Sequence, residues 1–177
     1  MRKTKLITLS ALAAALGVIA IALGSLLDVM DLSAAVLAAL VVLFCVLEMG
    51  YGYAAMVYLT VSVLSVILLP NKSAALLFAL LFGYMPIVKF WFERKLGRLS
   101  VIPKLIIYNL LFGAVVTFGA ELTGFTVENA WSVPPAAIYA LYFVLANILF
   151  AVCDLLFARM ARFYFFRIRE RIRKYLK

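Results

Sequence analysis

A chain of 177 residues that is 68% hydrophobic and only 14% charged, with a mean hydropathy of +1.14, does not have the composition of a water-soluble domain. The net charge of +9 is compatible with nucleic acid, but its placement fits membrane topology better, and nucleic acid is not an expected partner. There is no histidine, which removes the commonest metal ligand and general base.

The first apolar run, residues 6–27, follows a basic start of Arg2, Lys3 and Lys5. A cleaved signal peptide with Ala20-Ile-Ala22 as its processing motif is an alternative, but the run is longer than the usual apolar region and no exported soluble domain follows. Ala13, Gly17, Ala20 and Gly24 recur at helical spacing and make one smooth face, which Ser10 extends. Leu9, Leu12, Leu16, Ile19 and Leu23 form the opposite, lipid-facing side. Small residues let helix backbones approach closely in lipid, so the smooth face either packs within this chain's own bundle or docks a partner membrane protein.

Further spans are predicted over 32–47, 53–69, 73–92, 101–122 and 135–158. The breaks between them carry turn chemistry: Glu48-Met-Gly50-Tyr-Gly52 after the second span and Pro70-Asn71-Lys72 after the third. Pro86, inside the fourth, is expected to kink it by removing a backbone donor. The expected fold is therefore an all-α bundle of six transmembrane helices in one domain, 1–158, followed by a basic tail, 159–177. The runs are continuously apolar rather than alternating, which excludes a membrane β-barrel.

Placing the N-terminus inside puts 16 of the 17 basic residues on the inner side, with only Lys72 outside. Asp28, Asp31, Glu121 and Glu128 then fall on the outer side. An excess of Lys and Arg marks the cytoplasmic side, so both termini are expected in the cytoplasm of a multi-pass plasma-membrane protein.

Ionisable side chains within spans are costly and call for a reason. Glu48, Lys89, Lys104 and Asp154 all map to the inner ends of their spans, and Lys89 stands four residues before Glu93 on one helix face. They form either a charge layer that snorkels to the surface or one that senses a cytoplasmic partner. Asn109 and Asn147 lie deeper and act either as interhelical glue or as the lining of a ligand cavity. Tyr84 and Tyr142 are candidates for the same cavity. Asp31, Glu121 and Trp131, with Asp28 and Glu128, are candidates to close such a site from outside, or are ordinary solvated loop residues. Cys45 and Cys153 read as apolar fillers.

In the tail, Phe165, Ile168, Ile172 and Tyr175 or Leu176 recur at near-helical spacing among eight basic residues and one acid, Glu170. A basic amphipathic helix is expected there, lying on anionic lipid headgroups of the inner leaflet. No nucleotide-binding loop, zinc spacing, nucleophile elbow or believable catalytic carboxylate pair occurs. Neither enzymatic activity nor a metal or cofactor is expected.

Thr8-Leu-Ser-Ala-Leu-Ala-Ala-Ala-Leu-Gly17 resembles the alanine-rich opening helix of the substrate-binding (S) components of energy-coupling factor vitamin transporters. Ala11 and Ala15 match the family's small-xxx-small pattern, as do Ala13 and Gly17. The acidic connection before Leu32-Ser-Ala-Ala35 and the Pro70-Asn-Lys72 turn are also similar. The resemblance spans roughly residues 5–160 and implies a receptor that binds a micronutrient from the outer side. It also implies docking of the first helix on a membrane coupling subunit, with ATP hydrolysed by separate subunits. The long basic tail departs from the family's short C-terminus, and no signature of the riboflavin, thiamine or biotin members is present. Two other readings stand beside this one: a non-transporting scaffold subunit of an envelope or cell-shape complex, and a protein that handles a lipid carrier.

Overall fold

The computed structural model describes the backbone of residues 3–26, 30–70, 72–123 and 135–168 and, within them, every side chain but those at 98, 117–123, 135–138 and 168. The described chain is helical, as continuous apolar sequence requires: in lipid, only a helix satisfies each backbone polar group within its own segment. In chain order the helices are α1 (Lys3–Leu26), α2 (Asp31–Glu48), α3 (Tyr51–Leu68), α4 (Ser73–Leu96), α5 (Val101–Thr123) and α6 (Pro135–Phe163). Five are long and apolar enough to cross a bilayer; in α5 the described apolar part is Val101–Val116.

The breaks have local causes. Gly50, between α2 and α3, has φ +88°, where a side chain is strained. Leu69 leaves α3 in an extended conformation because Pro70 follows it. Gly97, with φ +55°, turns the chain into a short 3-10 segment, Gly97–Ser100, ahead of α5. Pro103 falls in the first turn of α5, where its missing N–H costs nothing.

The centre of the molecule is α2, which touches α1, α3, α4 and α6. Its Ala34, Ala35, Ala38, Ala39 and Val42 are buried, and the alanines let neighbouring backbones come near. Helix α1 lies against α2 and α3. Its Gly17 meets Val61 of α3, and its Gly24 meets Ala34 of α2. On the far side, α5 packs against α4 and α6 around Tyr108, a fully buried ring set 5.0 Å from Phe150.

Helix α4 is irregular before Pro86 rather than at it. Residues Phe78–Phe82 form a π-helical turn, and the Gly83 N–H donates to the Phe78 carbonyl, five residues back, at 2.7 Å. That shift releases the Ala79 carbonyl from the helical ladder, and the Tyr58 hydroxyl of α3 donates to it at 2.7 Å. Gly83 makes the arrangement possible: a Cβ there stands 2.7 Å from the Tyr58 ring and 2.8 Å from the Phe78 ring. The helix resumes at Met85, so Pro86 sits in a first turn, where proline is tolerated.

At the other end, α6 does not stop at the expected Ala158. It continues through Phe163 into a π turn, Tyr164–Ile168. Ala161 and Tyr164 are buried, and the Tyr164 ring meets Phe44 of α2 edge-on at 5.6 Å. The start of the basic tail is thus a continuation of the last helix. Its expected amphipathic part beyond 168 lies outside the described residues.

Candidate functional site: a buried ion-pair quartet

Four charged side chains from three helices meet between α4, α5 and α6. Lys89 and Glu93 are one turn apart on α4, Lys104 lies in the first turns of α5, and Asp154 is on α6. The Lys89 ammonium is 2.9 Å from Glu93 Oε1 and 2.8 Å from Asp154 Oδ1. The Lys104 ammonium is 3.1 Å from each of the same two oxygens. Each lysine bridges both acids, and each acid oxygen accepts from both lysines, so charge alternates around the ring and the formal sum is zero.

Burial is uneven. The lysine side chains are 3% and 4% exposed, whereas Glu93 is 36% and Asp154 23% exposed. The ammonium groups have therefore lost their water and depend on the carboxylates for compensation. Good geometry offsets most of the cost of burying such charges without making them a large net source of stability. What the ring does achieve is to fasten three helices at one end of the bundle.

Sequence reasoning placed Glu48, Lys89, Lys104 and Asp154 in one layer. Three of the four meet here, and Glu93, visible only as the i,i+4 neighbour of Lys89, supplies the other acid. Glu48 is the half-buried last residue of α2. A small cleft opens beside the quartet, lined by Tyr84, Lys89, Lys104, Phe150 and Asp154 among others. It has room for about one water molecule.

Further along the same helices, Asn109 and Asn147 form a closed amide pair. Asn109 Nδ2 donates to Asn147 Oδ1 at 3.0 Å, and Asn147 Nδ2 donates back to Asn109 Oδ1 at 2.9 Å. The second N–H of each goes to its own helix, to the Leu105 carbonyl at 2.9 Å and the Phe143 carbonyl at 2.7 Å. With both donors and an acceptor of each amide engaged, the geometry is that of glue between α5 and α6. Asn109→Leu alone strands the Asn147 amide in an apolar setting and is expected to cost about 1 kcal/mol. The double variant Asn109→Leu with Asn147→Leu leaves no stranded group and is expected to melt closer to the parent. Thermal unfolding in detergent checks both.

The other candidates scatter. Tyr84 lines the cleft with a buried hydroxyl that has no partner among the described residues. Tyr142 is exposed on α6, and Asp31 is half-buried at the start of α2. Glu121 belongs to the backbone of α5, but its side chain, like Asp28, Glu128 and Trp131 entirely, lies outside the described residues. Cys45 and Cys153 are buried free thiols.

The small residues of α1 divide into two stripes. Ala13, Gly17 and Gly24 are buried against this chain's own helices, and Ala20 is half-buried against the core. They are taken up by packing within the chain. Ala11 and Ala15 stand on the other side, exposed beside Leu12, Leu16, Ile19 and Leu23. Leu9, expected to face lipid, is half-buried against the core.

Two features escaped sequence reasoning: the Tyr58–Ala79 bond with its glycine, and the burial of Tyr108. A glycine in the middle of an apolar run was the available signal for the first. No family model, curated protein or solved structure matches this chain.

Proposed function

We propose that this chain is the membrane-embedded substrate-binding subunit of a micronutrient uptake transporter, orienting both termini to the cytoplasm of the plasma membrane. In this reading it takes a small molecule from the outer side and couples to a membrane subunit and separate ATPases. Its basic tail rests on anionic headgroups. The observation that carries the reading is the exposed pair Ala11 and Ala15 on α1. Their small-xxx-small spacing is the one that the resemblance assigns to docking on a coupling subunit, and it stays open after internal packing has used Ala13, Gly17 and Gly24. A smooth exposed stripe flanked by leucines suits close approach of a second helix in lipid.

The test is mass spectrometry of what stays bound when the full chain is purified from its own membrane in mild detergent. A retained small molecule, present in stoichiometric amount, is the expected result. Retention of partner proteins with no small molecule would overturn the receptor reading in favour of a scaffold.

A further inference from the structure

The hydrogen-bond inventory of the quartet does not close. An ammonium group carries three N–H donors. Lys89 and Lys104 each direct donors at two oxygens, Glu93 Oε1 and Asp154 Oδ1. Each ammonium therefore carries one N–H beyond these two ion pairs. The Tyr84 hydroxyl, buried five residues before Lys89, has no partner among the described residues. All three residues line the same cleft. Buried donors left without acceptors are expensive, so an acceptor placed in the cleft that all three residues line is stabilising.

Size and charge narrow what fits. The space admits about one oxygen-sized atom, with Phe150 forming part of its apolar wall. A water oxygen accepts at most two hydrogen bonds, fewer than the donors on offer. A phosphate oxygen accepts three and brings negative charge. The quartet itself is neutral, and exposed Arg94 and Lys95 follow Glu93 on α4. Lys95 is held near this end by its ammonium lying 4.0 Å over the Trp91 ring. Within the cleft the Asp154 carboxylate opposes an anion, while the buried Lys89 and Lys104 ammonium groups, whose field is screened far less than at an open surface, attract it.

We propose that the cleft between α4, α5 and α6 is a subsite for one oxygen of a phosphate group, held by Lys89, Lys104 and Tyr84. The phosphate comes either from the headgroup of an anionic phospholipid or from a soluble phosphate compound; the recognising chemistry is the same. The proposal is independent of the cargo and of the transport reading.

Native mass spectrometry of the full chain in uncharged detergent tests it, with phosphatidylglycerol and diacylglycerol as probes. The expected result is retention of the phosphate-bearing lipid over diacylglycerol. Tyr84→Phe is expected to reduce that retention about tenfold, the factor for one hydrogen bond to a charged acceptor. Folding is controlled within the same variant. Because the hydroxyl has no partner among the described residues, Tyr84→Phe is expected to melt no lower than the parent in the absence of phosphate. A soluble source is distinguished by inorganic phosphate at millimolar concentration raising the melting temperature of the parent but not of Tyr84→Phe. Equal retention by parent and Tyr84→Phe, with no response of either to inorganic phosphate, overturns the proposal and leaves water as the occupant.

Discussion

Asp154→Leu is expected to destabilise the fold by about 3–5 kcal/mol, the cost of leaving a buried charge without its counter-ion. The variant leaves two ammonium groups, 3% and 4% exposed, sharing the single carboxylate of Glu93. That carboxylate is itself 36% exposed and partly compensated by solvent, so it cannot neutralise both. Whole-domain stabilities are of order 5–15 kcal/mol, so the loss is a large fraction of the total. Adding Lys104→Met should restore most of it. The double variant removes one charge of each sign and leaves Lys89 and Glu93 paired at 2.9 Å along α4. Glu93→Gln is expected to do less harm than Asp154→Leu, because the more exposed acid is more easily replaced by water. The fraction of monodisperse protein surviving a heat ramp ranks the three. A double variant no more stable than Asp154→Leu would show that the quartet is not the source of the loss.

This prediction draws on a part of the structure that was half legible in the sequence. Four charges at one depth in an apolar chain announce pairing, because each is too costly alone. Depth is a one-dimensional quantity read from distance to the nearest span end. Which acid completes the ring is a rotational question, settled by which faces of α4, α5 and α6 point together. That is why Glu93 entered from its local relation to Lys89. The asparagines illustrate the same limit. Their depths were readable, but that they face each other and close a reciprocal pair depends on how α5 and α6 are rotated. Pro86 misled for another reason. Proline removes a donor, but a helix that has already broken at Phe78–Phe82 and restarts at Met85 has no use for that donor. The all-helical, apolar character of the chain was legible, since length and composition answer directly to the thickness and dryness of the bilayer.

The two stripes on α1 give the second large expectation, because they differ in consequence though not in composition. On the inner stripe, a Cβ at Gly24 collides with the Ala34 side chain of α2, whose methyl has no rotamer by which to give way. Gly24→Leu must therefore push α1 off α2, at a cost of about 1–3 kcal/mol for overpacking and more where the backbone has to shift. Gly17→Leu acts the same way against Val61 of α3, a branched and buried side chain on a second helix. On the outer stripe, Ala11→Leu with Ala15→Leu adds bulk where both residues are exposed among leucines. The bundle has nothing to lose there, and a lipid chain meets leucine as readily as alanine. The expected outcome is a clean separation: Gly24→Leu reduces the yield of folded monomer, whereas the alanine pair leaves yield and melting unchanged. If a partner helix does rest on the outer stripe, only the alanine pair lowers recovery of an intact complex from the native membrane. A loss of monomer stability on changing Ala11 and Ala15 would mean that this stripe, too, belongs to the internal packing, and would remove the observation on which the transporter reading stands.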